Sequence, residues 1–277
     1  MKYANLHLHS THSDAAFTPR QLLLIGKSLG YYALALTDHE TDNGVKELMA
    51  AARAEAGVHI ISGVEFYGAH EGQCLHLTAL DYDMDDPGIR AFIKERVDLQ
   101  NEQTRKCFEY GRKNGVIEGV TWDDVLKYNP DGAWLCIDSV RTAYRALKID
   151  IPSNLRVDVF NGDYARAILH DFPTAERVIR VVRKAGGVIA LAHPSNQTQY
   201  IPKLVEYGLN GVEVSHPHIS PETSYLATEM AKTYNLYHCG GTDHTGPMSA
   251  CGGSNAVPAF DGITEEEFVT LRERRRG

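Results

Sequence analysis

Seven short apolar runs, each carrying a histidine or carboxylate at or near its C-terminal end, constrain this chain more than any other feature. They are Tyr3–Leu8, Tyr32–Thr37, Val58–Val64, Cys74–Leu80, Gly187–Ala192, Gly211–Ser215 and Leu236–Gly240. Runs of this length bounded by turn residues read as strands. Amphipathic stretches lie between them. TPRQLLLIGKSLG offers Thr18 as an N-cap, Pro19 at the first helical position and Gly30 as the terminator. GVKELMAAARAEAG, Pro202–Tyr207, the stretch from Pro221 and Thr264–Arg274 have the same helical character. Strand–helix alternation predicts an α/β protein with parallel strands and crossover helices. Seven such units closing on themselves make a barrel related to the (β/α)8 type. An open doubly wound sheet satisfies the same pattern.

The alternation breaks between about residues 85 and 172. There a helical pattern from Pro87 to Asn114 is followed by TWDDVLKY and SVRTAYRALK. The expected organisation is one barrel domain over residues 1–277 with a helical insertion at 96–168 lying over one end. Trp122, Tyr128, Trp134 and Tyr144 fall within it. They serve either as its own core or as a surface on which a base stacks.

Charge and cysteine content narrow the function. A formal net charge of −8 argues against a long nucleic-acid partner, because phosphate binding leaves a basic footprint. An acidic chain still takes a small phosphorylated ligand if a metal supplies the positive charge. Cys74, Cys107, Cys136, Cys239 and Cys251 form no CxxC pair and read as free thiols in a reducing cytosol. No signal-peptide pattern is seen, and no apolar run approaches the ~20 residues of a membrane span. The expectation is a cytoplasmic protein with no membrane partner and an open oligomeric state.

His7 and His9 project to the same side of the first strand. The later runs add His39, Glu65, His76, His193, Glu213 with His216, and Asp243 with His244. Asp38, just before His39, reads equally as a helix cap. Barrel enzymes build their sites at strand C-terminal ends. Nitrogen and oxygen ligands without thiolates suit manganese, zinc, iron or magnesium. His7, His9, Asp14, His39, Glu65, His76, His193, Asp243 and, less securely placed, His244 outnumber the roughly four to six ligands of one ion. Two or three divalent metal ions sharing one pocket, bridged by a carboxylate such as Glu65, account for the count.

HLHSTHSDAAFTP, LALTDHET, GVEF, the His76 strand, LAHP and GGTDH, in this order, resemble the PHP (polymerase and histidinol phosphatase) family. The likeness covers residues 1–80 and about 175–250. It implies a distorted seven-stranded (β/α) barrel, a two- or three-metal centre and hydrolysis of phosphate esters. It also implies a partition of ligands. His7, His9, Glu65 and Asp243 resemble the shell of one metal, and Asp14, His39 and His193 that of a second. His76 resembles a ligand of a third or shared site. Ser13-Asp14 looks like the small-phosphoesterase branch. Two departures stand out. Asp243-His244 lacks the usual Asp-x-His spacing, which leaves the role of His244 open. SVRTAYRA departs from the usual Gly-Arg-Pro-His and leaves Arg141 as a candidate phosphate contact.

The expected activity is hydrolysis of a small nucleotide-like or sugar-like phosphate ester by a metal-bridging hydroxide. His216 and Asp243 are the candidate catalytic residues, with His216 contacting phosphate or protonating the leaving oxygen. His218 ranks below His216, and His59, His70, His170 and His238 read as structural. The alternatives are an amidohydrolase-type C–N hydrolase, an exonuclease acting on short oligonucleotide ends, and a non-catalytic module.

Overall fold

The computed structural model describes residues 3–55, 57–245 and 261–274. Cys251 lies outside them, and the other four cysteines are free thiols. Among the described residues, eight strands form two sheets. In the first, β1 (Ala4–Asn5), β2 (Ala33–Ala35) and β3 (His59–Ile61) pair in parallel. The second contains β4 (Gly63–His70), β5 (Gln73–Leu80), β6 (Val188–Leu191), β7 (Gly211–Ser215) and β8 (Tyr237–Gly240), in chain order. The architecture is mixed α/β, as the alternation predicts.

Its strand pairing corrects the expectation in two places. The run expected at Val58–Val64 is two strands, β3 and β4, separated at Ser62 and belonging to different sheets. Strands β4, β5 and β6 are antiparallel, while β6, β7 and β8 are parallel. The first reversal has a local cause. Glu71 and Gly72 have φ values of 47° and 75°. Two consecutive left-handed residues make the turn that closes a tight hairpin, so no crossover helix is needed.

Continuous ladders do not close the two sheets into a barrel. The sheets meet through single bridges, Leu8 with His244 and His39 with Glu65. Leu6 N–H also donates to the Gly240 carbonyl at 3.0 Å, and Glu40 N–H to the Glu65 carbonyl at 2.8 Å. The ladders stop where the chain leaves extended geometry: Glu40, His193 and Asp243 have φ of 56°, 26° and 47°. Left-handed backbone cannot continue a strand.

Ten helices accompany the strands among the described residues. They are α1 (Pro19–Ser28), α2 (Asn43–Ala54), α3 (Pro87–Lys113), α4 (Trp122–Lys127), α5 (Ile137–Leu147), α6 (Asp163–Ala167), α7 (Ala175–Lys184), α8 (Ile201–Tyr207), α9 (Pro221–Tyr234) and α10 (Glu265–Arg274). At α1 the Thr18 hydroxyl accepts from Gln21 N–H and the Gln21 side chain returns to Thr18 N–H. Such a cap is worth about 1 kcal/mol. Helix α7, absent from the sequence reading, packs Val178, Ile179 and Val182 with Phe66, Leu77 and Ile189 of the second sheet. Helices α1 and α2 cover the first sheet through Leu22, Leu23, Val45 and Leu48.

Between β5 and α7 the chain is helical, comprising α3 to α6 and a π-helical turn at Leu155–Phe160. Phe108, Val120, Val125, Val140, Tyr144 and Leu155 give this segment its own core, with Trp122 and Tyr128 packed against it. Trp122, Tyr128 and Tyr144 are therefore occupied by packing, and Trp134 is not among them. No helix among the described residues is long and apolar enough to cross a membrane.

Candidate metal centre

The first histidine pair is positioned by β1 and the two strands on either side of it. Beyond β1 the backbone stays hydrogen-bonded on both sides: Asp243 N–H donates to His7 O at 2.9 Å, and Thr37 N–H to Leu8 O at 2.7 Å. The approach of the β8 end is so close that a Cβ on Gly241 would meet His7 N at 2.3 Å. Residues 10–14 are folded around Asp38. Its carboxylate accepts from Ser10 N–H (2.7 Å), Ser10 Oγ (2.7 Å) and Ser13 Oγ (2.5 Å). Asp38 is thus a scaffold for the loop that carries Asp14, and it does not cap α2, whose N-cap is Asp42.

Glu65 stands at the centre. Its Oε1 lies 3.5 Å from His7 Nε2, 3.1 Å from His76 Nδ1 and 3.2 Å from His193 Nε2. Its Oε2 lies 3.3 Å from His9 Nε2 and 3.1 Å from His39 Nδ1. One carboxylate thus faces five imidazoles. Asp243 Oδ1 closes on His9 Nε2 at 3.0 Å and on His7 Nε2 at 3.5 Å. Five metal-sized groups result among the described residues: His7, His9 and Asp243; His9, His39 and Glu65; Glu65, His76 and His193; His7, Glu213 and His216; and His216, His218 and Asp243. The partition implied by the resemblance is therefore rearranged. His193 stands with His76 instead of with Asp14 and His39. Asp14 lies 3.8 Å from His9 Nδ1 and 3.8 Å from His39 Nε2, just outside the compact groups.

These residues fit cations on geometry and on hydrogen bonding. Ligands about 2.0–2.1 Å from a tetrahedral ion stand roughly 3.3 Å from one another. His7 Nε2 and His9 Nε2 are 3.2 Å apart. His7 Nδ1 lies 2.7 Å from Glu213 Oε1. With its proton donated there, the ring's Nε2 presents a lone pair to the cluster, as metal-binding histidines do. Buried polar atoms normally find partners, yet Asp14 Oδ2, His39 Nδ1 and Glu65 Oε2 have no hydrogen-bond partner. Cations would satisfy them.

His216 Nδ1 accepts the His218 N–H at 3.1 Å, so a neutral His216 ring carries its proton on Nε2. That atom lies 3.3 Å from Asp243 Oδ2. The structure does not bring the other two candidates into the compact groups. His244 is buried with its ring stacked on Phe17 at 5.4 Å, because the bridge to Leu8 directs its backbone. Arg141 is drawn onto Asp138 Oδ1, three residues back on α5, at 3.2 Å. Sequence reasoning missed the part played by Glu213, which holds His7 with Oε1 and accepts His193 N–H at Oε2 (2.7 Å). Its place two residues after Gly211 in a strand followed directly by His216 was the available signal. Tyr67 was missed as well. It lies two residues after Glu65 on the same strand, with its ring stacked on His39 at 5.0 Å and edge-on to His76 at 4.7 Å.

Charge coupling follows this geometry. Burial pushes His7 down, but the carboxylates of Glu213, Glu65 and Asp243 hold it well above its usual range. His9 and His193 are also raised against burial, by Asp243 and Glu65 for the first and by Glu65 for the second. At His39 burial wins and lowers the pKa to about 4. Glu65 and Asp243 are held well below the usual carboxylate range by the imidazoles, despite burial. A raised imidazole contributes stability that is complete below about pH 6.5 and is lost as pH rises through its folded value. A lowered carboxylate contributes stability present above about pH 4 and lost as pH falls through its folded value. His39 opposes the three raised rings, its contribution being lost as pH falls. Metal-free protein should therefore be most stable between roughly pH 4.5 and 6.5 and melt at lower temperature as pH rises to about 8. Cations compete with protons for these nitrogens, so the Tm increase on adding manganese should grow over the same interval. Calorimetry with chelator or with metal measures both, and a metal-induced shift that shrinks with pH would contradict the assignment.

Histidines and carboxylates converging at strand ends, with ligand atoms left unpartnered, define an α/β protein built to hold metal. The chain belongs to the PHP domain family, which it matches over residues 5–182. It is 27% identical over 252 residues to a 5′-3′ exoribonuclease of Haemophilus influenzae, covering 87% of this chain and 89% of that protein. It is 29% identical over 257 residues to a phosphoribosyl 1,2-cyclic phosphate 1,2-diphosphodiesterase of Eggerthella lenta, covering 87% and 94%. Its fold matches the crystal structure of a chain from Bifidobacterium adolescentis assigned to the metal-dependent phosphoesterases. The TM-score is 0.82 at 23% identity, over 99% of this chain and 96% of that one.

Proposed function

We propose that this protein is a metal-dependent phosphoric ester hydrolase acting on a small nucleotide-like or sugar-like phosphate. The observation that carries the reading is Glu65, whose two oxygens face two separate sets of imidazoles within one buried cluster. Two or three divalent cations (manganese, zinc, iron or magnesium) would be held by His7, His9 and Asp243, by His9, His39 and Glu65 with Asp14 nearby, and by Glu65, His76 and His193. When bound, the cations make a nucleophile of water near neutral pH and offset charge on the phosphoryl oxygens. The chain's own residues do the rest. Glu213 holds His7 in the tautomer that presents Nε2. His216 keeps a proton on Nε2 beside Asp243, placed for transfer to a leaving oxygen.

In this reading the two bridged sheets act as the distorted seven-stranded barrel of the family, and segment 96–168 is its cap. Trp134 supports the cap: its N–H donates to His12 O at 2.8 Å and its indole lies 5.3 Å from the His39 ring. The four described free thiols support a cytoplasmic location. A second reading, removal of nucleotides from short oligonucleotide ends, is favoured by the likeness to the Haemophilus exoribonuclease.

The test is phosphate release from nucleotides, nucleoside bisphosphates and sugar phosphates with manganese present, alongside a short 5′-phosphorylated oligoribonucleotide and a panel of amides. Turnover of small esters is the expected result. Shortening of the oligonucleotide without small-ester turnover would establish the second reading, and activity confined to amides would replace both with a C–N hydrolase.

A further inference from the structure

Solvent reaches the cluster chiefly at two of its histidines, with Asp243 at 18% exposure next. The two histidines are His76, at 29% exposure, and His193, at 24%, whereas His7, His9 and Glu65 are at 1% or less. Aromatic rings gather beside His76. Tyr67 packs edge-on against His76, and Phe172 follows at 5.2 Å from Tyr67, with Trp134 at 6.2 Å from Tyr67. Tyr67 and Phe172 are each only half-buried, unlike the core aromatics Phe66 and Tyr144. The wall is held rigid from behind. Glu40 accepts Tyr67 N–H at 2.8 Å, and the buried Arg96 guanidinium lies 5.9 Å from the Phe172 ring centre.

We infer that Tyr67 and Phe172 form a stacking wall for the planar base of a nucleotide whose phosphate sits at the cation cluster. The inference rests on the phosphoesterase reading and narrows it from any small phosphate to one bearing an aromatic base. A bare sugar phosphate would leave this apolar surface wet, whereas a base covers it, and every base has a π-face to offer.

The test compares adenosine 5′-monophosphate with ribose 5-phosphate on the manganese-loaded protein, in wild type and in Phe172→Leu. Leucine keeps apolar bulk but removes the π-face. Binding is read by quenching of tryptophan fluorescence, which reports on Trp134 because Trp122 packs into the helical core. Turnover is read separately as kcat/KM. Wild type should prefer the nucleotide in both measurements, and the variant should lose about tenfold of that preference, the scale of removing one stacked ring. Equal affinity for the two esters, or an unchanged preference in the variant, would overturn the wall. Quenching by the nucleotide with no phosphate released from either ester would keep the wall and sink the hydrolase reading.

Discussion

Glu65→Gln should abolish metal loading and turnover together. The substitution keeps the shape of the side chain and removes its charge. Glu65 belongs to two groups and reaches His7, His9, His39, His76 and His193 at 3.1–3.5 Å. Losing an outer partner of a metal ligand costs about 10–100-fold, so losing a carboxylate that belongs to two groups and lies within 3.5 Å of both histidines of a third should cost at least about 1,000-fold in activity. Bound metal, measured by elemental analysis after dialysis, should fall below one equivalent. Comparing the melting of the metal-free variant with metal-free wild type separates this loss from misfolding. A Glu65→Gln protein that retained two equivalents and turned over within tenfold of wild type would show that the cations lie elsewhere or that the cluster is only an ion-pair network.

That centrality could not be read from the sequence, although the members could. His7 and His9 were legible because strand periodicity puts residues two apart on one side. His39, His193 and Asp243 were legible because each closes an apolar run. Which residue stands with which was not legible, because strand order decides it, and the order turned on one hairpin. Glu71-Gly72 folds β5 back against β4, so Tyr67 pairs with His76 and Glu65 with Thr78. Strand β6 then pairs antiparallel with β5, and His193 arrives beside His76. The family resemblance had implied a place for His193 with Asp14 and His39. Orienting groups were harder still. Glu213 and Asp38 act mainly through neighbours twenty or more residues away in sequence, so a strand position beside His216 could mark Glu213 but not name its partners. His244 is the opposite case. Its type suited a ligand while its spacing from Asp243 left its role open, and the backbone bridge to Leu8 and the stack on Phe17 take its ring out of the compact groups.

Arg96→Met should destabilise the protein severely, although Arg96 belongs to no metal group. Arg96 is 2% exposed in the middle of α3, and its Nε donates to Glu40 Oε2 at 2.6 Å. Its Nη2 donates to His170 Nε2 at 2.9 Å, and His170 Nδ1 in turn donates to Gln103 Oε1 at 2.7 Å. Burial and the guanidinium both lower the His170 pKa, which keeps the ring an acceptor. Removing one partner of a buried pair leaves a stranded charge and costs about 3–5 kcal/mol, or roughly 10 °C in Tm for a chain of this size. The Glu40→Gln, Arg96→Met double variant removes the stranded charge and should melt above the single variant. The pH dependence gives an independent check. Burial already raises the Glu40 pKa even with Arg96 present, and without Arg96 it rises further. A raised carboxylate costs least below its unfolded pKa and progressively more above it, so the deficit should be smaller near pH 5 than near pH 8. The damage should also reach the cluster, because Glu40 follows His39 in sequence and its other oxygen holds the Tyr67 backbone beneath the His39 ring. An Arg96→Met protein melting within about 2 °C of wild type, with full metal content, would show that the helical segment and the metal centre are not coupled through this pair.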